Sequence, residues 1–270
     1  MTNLPTALIT GASSGIGATY AERFARRGHN LVMVARDKVR MDVLASRLRE
    51  ETKVTIDVIQ ADLTQQKDLA EVETRLREDT SIGILINNAG MGQSGAFVQQ
   101  NAQSIDRLVM LNTTAPTRLA AAVAARFAQE GKGSIVNIGS VVGFAPELGM
   151  TIYGATKAFV LFLSQGLNLE LGPKGIYVQA VLPAATRTEI WSRAGMDINT
   201  LPEVMDVNEL VDAALIGFDR KELVTIPPLH VAERWNELDQ ARQGLMSEIR
   251  QAHAAERYLP QALEHHHHHH

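Results

Sequence analysis

Four side chains in this 270-residue chain could together move a proton to or from a bound oxygen atom: Asn112, Ser140, Tyr153 and Lys157. Tyr153 and Lys157 stand four apart in a helical pattern, so they share one face. A phenol ordinarily titrates near ~10, too high for a good base near neutrality, and a neighbouring ammonium favours its ionised form. A serine hydroxyl beside the pair could donate to a carbonyl oxygen and orient it. Singly, each has a plainer account. A serine after a strand is usually a cap, a Tyr beside a Lys on a helix is usually a surface pair, and a mid-helix asparagine is usually solvated.

A second group of residues suits a phosphate. An apolar run, Ala7-Leu8-Ile9, meets Thr10-Gly11-Ala12-Ser13-Ser14-Gly15-Ile16-Gly17, and a helical pattern follows. Strand, glycine turn and helix present free backbone N–H groups and the positive end of a helix dipole. Gly11 suits a sharp turn, Gly15 the close approach of a pyrophosphate, and Gly17 tight packing of the helix on the strand. The spacing G-x-x-x-G-x-G differs from the general dinucleotide fingerprint. The second strand ends in Ala35-Arg36. An acidic residue there would bind a ribose 2′-hydroxyl, whereas a basic one suits a 2′-phosphate, which favours NADP. Arg36 could otherwise merely begin a surface helix. Asp62, at the end of the third strand, could accept from an adenine amino group or cap the next helix, with Thr64 as the alternative cap. Asn87-Asn88-Ala89-Gly90, at the end of the fourth strand, reads as a turn whose amides could hold neighbouring backbones and a ribose. Met91 to Gly95 reads as a mobile loop.

The elements that position these groups alternate. Helices are expected over about 15–27, 37–52, 66–80, 104–130 (bent at Pro116), 153–171, 208–220 and 231–258. Short apolar runs at 31–34, 54–59, 82–86, 135–138, 177–182 and 223–226 join the first as strands. Seven alternations predict one α/β domain, residues 1–262, with a doubly wound parallel sheet and a C-terminal helical extension over 229–262. Residues 186–205 read as a lid over the substrate. Phe159-Val160-Leu161-Phe162-Leu163 is apolar all round, and its outward face calls for a partner subunit.

Composition narrows the classes. The formal charge is −4, and −3 once Glu264 of the tail is set aside; neither offers an electrostatic footprint for nucleic acid. Residues 263–270 read as an expression tag, not a metal site. The chain has no cysteine, which excludes disulfides and thiolate chemistry. No apolar run approaches the ~20 residues of a membrane span, and a cytoplasmic location is expected.

Together these motifs strongly resemble the short-chain dehydrogenase/reductase family, in its single-domain branch of about this length. The likeness runs from about Thr6 to Ile226, and the 13-residue gap from Ser140 to Tyr153 is the family's usual one. The resemblance implies a Rossmann-type seven-stranded sheet and NADP(H). It makes Tyr153 the general acid/base, Lys157 the group that lowers its pKa and holds the nicotinamide ribose, Ser140 the carbonyl donor, and Asn112 the holder of a water in the proton path. It implies that Gly11, Ser13, Ser14, Gly15, Ile16 and Gly17 surround the phosphates, Arg36 the 2′-phosphate, Asp62 and Leu63 the adenine, and Asn88, Ala89 and Gly90 the ribose. Pro183, Thr186 and Thr188 would sit by the nicotinamide and its phosphate. Two departures stand out: Pro183-Ala184 where the family often has Pro-Gly, and a polar C-terminal helix in place of a glycine-rich tail. The second favours a homodimer, through the helices around Asn112 and Phe162, over the usual homotetramer.

The resulting expectation is an NADP(H)-dependent oxidoreductase interconverting a carbonyl and a secondary alcohol, with an apolar small-molecule substrate. Val142, Phe144, Met150, Trp191 and Met196 are candidate pocket walls. The alternatives are a non-catalytic NADP(H)-binding redox sensor and, among enzymes, a 3-oxoacyl-thioester reductase. A carrier-protein substrate would call for more basic residues near the lid than Arg187 and Arg193.

Overall fold

The short apolar runs become strands covered on both faces. The structure, a computed structural model, describes residues 3–187 and 204–260. Its strands are β1 (Thr6–Thr10), β2 (Leu31–Ala35), β3 (Ile56–Gln60), β4 (Ile82–Asn87), β5 (Ser134–Ile138), β6 (Tyr177–Val181), β7 (Thr186–Arg187), β8 (Met205–Asp206) and β9 (Val224–Thr225). Seven of them form one sheet in the order β3-β2-β1-β4-β5-β6-β9, and β7 pairs with β8. Every pairing in the large sheet is parallel. This is the expected Rossmann-type doubly wound sheet. The order reverses between β1 and β4, so a crevice opens at their C-terminal ends, where ligands bind in such folds.

Alternate residues of each strand feed opposite cores. Ile9 and Met33 pack with Tyr20, Phe24 and Leu48 on one face. Leu8 and Val32 pack with Leu69, Val72, Val123 and Phe127 on the other. The covering helices are α1 (Gly15–Arg26), α2 (Lys38–Thr52), α3 (Gln66–Glu78), α4 (Ala102–Val109), α5 (Ala115–Glu130), α6 (Thr151–Leu171) and α7 (Val207–Asp219).

Three expectations need correction. The single helix over 104–130 is instead α4, a π-helical turn at Met110–Thr114, and α5. The Ala115 N–H reaches back to the Met110 carbonyl, five residues away. The irregularity therefore precedes Pro116, which has no N–H to give the carbonyl of Asn112. The third strand begins at Ile56, because its edge position leaves only part of the run covered. The final helix is shorter than expected. α8 (Glu233–Gly244) buries none of its residues, and Gly244 is a poor helix former with no packing to offset it. Contacts divide the chain into two compact units, residues 1–228 and 229–270.

A polar lattice runs through the second core. The Asn87 amide donates to the Pro116 carbonyl at 3.1 Å and to Asn137 Oδ1 at 3.0 Å, and Asn137 Nδ2 donates to Ser164 Oγ at 3.0 Å. Asn137 and Ser164 are fully buried. These bonds tie β4 and β5 to the start of α5 and the middle of α6. Asn137→Ala would orphan its buried partners, so it should destabilise by about 2–4 kcal/mol. A lower denaturant midpoint with an unchanged m-value would show it; an unchanged midpoint would mean that the lattice contributes little.

Candidate active site

The glycine turn leaves β1 with Gly11 at φ +63° and Gly15 at φ +56°, both in the left-handed region. A Cβ on Gly17 would lie 2.1 Å from the Gly11 carbonyl oxygen. Gly17 thus lets α1 start against the turn itself, not only against the strand. Ser14 precedes α1 in an extended conformation, caps nothing with its side chain, and no acidic residue follows in the first turn. The first N–H groups of α1 therefore remain open to an anion, with Ser13, Ser14 and Ile16 half-buried beside them. This cradle fits a diphosphate.

The end of β4 braces that turn. Asn88 donates its side-chain amide to the carbonyls of Thr10 (3.2 Å) and Gly11 (3.3 Å). The backbone N–H groups of Asn88 and Ala89 both donate to Thr10 Oγ1, at 3.0 and 2.9 Å. Asn88 therefore shapes the glycine turn itself. Thr10 opens the glycine motif in the sequence without a role of its own, because a threonine ending a β-strand is commonplace.

Arg36 is exposed just outside α2, whose N-cap is Asp37 accepting from the Arg40 N–H. It does not begin the surface helix. Its guanidinium, together with that of Arg107, acts on Asp62, and the Thr64 hydrogen bonds help hold that carboxyl below its ordinary range against the opposing effect of burial. Neither Asp62 nor Thr64 caps α3; Gln65 occupies the cap position. Asp62 Oδ1 accepts from the N–H (3.0 Å) and hydroxyl (2.7 Å) of Thr64. Oδ2 makes no bond among the described residues and remains available to a donor such as an adenine amine. The Leu63 side chain lies in the core, so only its backbone could meet a nucleotide.

The four proton-handling candidates converge at the C-terminal end of β5. Ser140, 6% exposed, follows β5; its hydroxyl accepts from the Val142 N–H at 3.1 Å and stands near enough to the Tyr153 phenol to act on its titration. Lys157 is buried, its Nζ 5.7 Å from the centroid of the Tyr153 ring and donating to the Ile138 carbonyl at 3.1 Å. Gly90 lies against it: a Cβ there would stand 3.6 Å from Lys157 Nζ and 3.3 Å from Asn112 Oδ1.

Burial pushes Lys157 down to about 8. Burial likewise pushes the Tyr153 phenol above its ordinary value, and the nearby Ser140 hydroxyl pulls only partly against this. This corrects the expectation of a lysine-lowered phenol. Desolvation of the phenolate sets the direction, and Lys157, itself pushed down by burial and donating to Ile138, does not reverse it.

Asn112 is buried at 2% exposure, which excludes the solvated reading. Its Oδ1 accepts from the Met91 N–H at 2.9 Å; its Nδ2 donates to the Met91 carbonyl (2.9 Å) and to Thr156 Oγ1 (3.1 Å). The amide is thus committed to protein, and a water would have to be held by the backbone instead. The same bonds correct the reading of Met91–Gly95 as a free loop: it is tied at Met91, and Gln93 bonds the start of α6.

Pro183 is buried and its carbonyl accepts from the Val141 N–H at 3.0 Å; Thr186 is buried and donates to the Ala184 carbonyl at 2.9 Å. Val142 is half-buried, and Phe144 and Met150 are exposed at the same edge. Thr188, Trp191, Arg193 and Met196 lie outside the described residues.

A short chain dehydrogenase family model matches residues 5–199. The chain belongs to the short-chain dehydrogenase family. The fold and family are those of NADP(H)-linked oxidoreductases. The chain is 96% identical to a bulky-bulky ketone specific alcohol dehydrogenase from Comamonas testosteroni, with TM-score 0.91 over 96% of this chain and 100% of that one. It is 79% identical to a short-chain dehydrogenase from Sphingobium yanoikuyae solved with NADPH, with TM-score 0.93 over 95% of this chain and 100% of that one. Among curated proteins it is 34% identical over 188 residues to the human very-long-chain 3-oxoacyl-CoA reductase, covering 68% of this chain and 60% of the relative. The chain thus spans about 60% of the length of the curated relatives it first matches.

The buried lysine has a consequence for stability. Its folded pKa is lowered from 10.5 to about 8. Between those values the unfolded chain still holds the proton and the folded chain has lost it, so stability should rise with pH across that window. Lys157→Met should abolish the rise and stabilise the fold below pH 8 by up to a few kcal/mol. Equal pH dependence in both proteins would show that Lys157 is not desolvated.

Proposed function

We propose that the chain reduces, with NADPH, ketones whose carbonyl lies between two bulky apolar groups, and that Tyr153 supplies the proton. The observation that carries the chemistry is the meeting of Ser140, Tyr153 and Lys157 at the end of β5, beside the crevice between β1 and β4. The substrate class rests on the 96% identical alcohol dehydrogenase.

Bound with its phosphates at the α1 N-terminus and its 2′-phosphate at Arg36, the dinucleotide would supply a hydride to the carbonyl carbon. The remaining roles belong to protein residues. Ser140 orients the carbonyl and donates to the oxygen as negative charge develops there. Tyr153 gives that oxygen its proton; a phenol held above its ordinary pKa is fully protonated at neutral pH, as an acid must be. Lys157 donates to the nicotinamide ribose and, as an ammonium below about pH 8, favours the phenolate once the proton has left. Asn112 serves the path of proton resupply through its backbone, because its amide is engaged. Val142, Phe144 and Met150 offer apolar surface to the substrate.

A second reading has specific support. A consistent set of curated relatives, 32–36% identical, are very-long-chain 3-oxoacyl-CoA reductases, and this set favours a 3-oxoacyl thioester as the substrate. The two readings share chemistry, since a 3-oxoacyl group is a ketone flanked by an alkyl chain and a thioester arm. A non-catalytic sensor finds less support, because nothing in sensing requires a serine, a phenol and an ammonium to meet.

One further role is proposed. The exposed apolar face of α6, with Phe162 at 79% and Leu169 at 81% exposure, would be covered by a second copy in a homodimer. No helix among the described residues is long and apolar enough to cross a membrane.

NADPH consumption should be followed with aryl alkyl ketones of increasing bulk and with 3-oxoacyl-CoA esters. Higher kcat/KM on the bulky ketones supports the first reading, and higher kcat/KM on the esters the second. Tyr153→Phe should lose at least ~100-fold in kcat on either class; full turnover would remove the acid–base assignment. Arg36→Ala should raise the KM for NADPH ~10-fold or more while leaving NADH nearly unchanged, through loss of a charge-assisted phosphate contact. An unchanged preference for NADPH would refute the role of Arg36.

A further inference from the structure

α6 carries Tyr153 and Lys157, yet it begins without a cap of its own. Met150, the residue before its first turn, is held in the left-handed conformation (φ 51°, ψ 55°) and offers no capping side chain. The first intrahelical bond is that of the Gly154 N–H to the Met150 carbonyl, at 2.7 Å. The N–H groups of Ile152 and Tyr153 would then lack partners. Both donate instead to Gln93 Oε1, at 2.9 and 3.1 Å. The other end of the Gln93 amide donates to the Gly95 carbonyl at 3.1 Å, which fixes which way the oxygen points.

A second set of bonds closes on the same residue. The Tyr153 carbonyl accepts from Thr156 Oγ1 at 2.6 Å; Thr156 Oγ1 accepts from Asn112 Nδ2; Asn112 clamps both backbone groups of Met91, two residues before Gln93. Tyr153 therefore sits inside a ring of hydrogen bonds, its N–H held by Gln93 and its carbonyl by Thr156. The ring joins the loop after β4, the π-helical turn and α6.

We infer that Gln93 is a positioning residue: by capping the uncapped start of α6 it fixes the backbone of Tyr153, and so sets where the phenol stands beside Ser140 and Lys157. This rests on the reading of Tyr153 as the proton donor. Gln93 does not touch the reacting atoms; it acts through Tyr153. A misplacement of about 1 Å at a reacting group costs up to ~100-fold in rate, so a cap two atoms from the Tyr153 Cα has leverage on kcat.

The test is a set of variants in the full chain, assayed with NADPH and an aryl alkyl ketone. Gln93→Leu keeps the bulk and removes the acceptor; it should lower kcat ~10-fold or more with the KM for NADPH within about threefold. Gln93→Glu keeps acceptor oxygens for both N–H groups and should recover most of the lost kcat. In a Tyr153→Phe background, Gln93→Leu should add little further loss, because the two act as a unit. Full turnover by Tyr153→Phe would overturn the proton-donor reading and the assignment with it. An inactive Tyr153→Phe beside a Gln93→Leu of wild-type kcat would overturn the assignment alone. If Gln93→Leu lost folded protein or NADPH binding and Gln93→Glu mended neither, Gln93 would be a structural brace, and the assignment would also fall.

Discussion

The site depends on one ammonium kept out of water. Lys157 Nζ lies buried at the C-terminal end of β5, donating to the carbonyl of Ile138. An isolated charge in such a place is costly, and the protein meets that cost in part by lowering its pKa to about 8 rather than by supplying a carboxylate. A carboxylate partner would have spent the ammonium. Left with one carbonyl, it keeps donors and a charge that no carboxylate has claimed. The absence of a Cβ at Gly90 eases the same corner: one would press on Asn112 Oδ1 at 3.3 Å while meeting Nζ only at ordinary contact.

Holding that ammonium requires two helices and two strands to agree in register. The Asn87–Asn137–Ser164 lattice does this inside the core, one layer below the site. It joins β4, which delivers the Asn88-Ala89-Gly90 turn, to β5, which delivers Ser140, and to α6, which delivers Tyr153 and Lys157. Directional bonds suit this task better than apolar contacts, which tolerate sliding. The Thr10–Asn88–Ala89 bonds perform the matching task on the other side of the crevice, where the phosphate turn and the β4 turn must keep one spacing.

The π-helical turn at Met110–Thr114 shows how a local irregularity serves this frame. Pro116 denies the Asn112 carbonyl its ordinary helical donor, and the widened turn directs the Asn112 side chain inward to clamp Met91 and Thr156. A regular helix would have distributed these groups on a 100° spacing. Irregular helical turns of this kind cluster at functional sites because they re-aim one side chain without breaking the helix.

Much of this was legible in the residues. Parallel strands buried on both faces leave continuous apolar runs, and helices covering them leave a 3.6-residue period, so the seven alternations and the doubly wound class follow from local pattern alone. The pairing of Tyr153 with Lys157 follows likewise, because a helix sets neighbours four apart. The distant partners of Asn112, Asn137 and Gln93 do not follow, since those bonds span 21 to 60 residues and no spacing rule connects their ends. Nor does the direction of the phenol's shift: the sequence brings a lysine near a tyrosine, but burial decides which influence prevails, and burial exists only once the sheet, the turns and α6 have closed around them. Local chemistry therefore selected the actors and the scaffold; their charge states and their restraints were decided by the packed whole, because desolvation and long-range hydrogen bonds have no meaning in an unfolded chain.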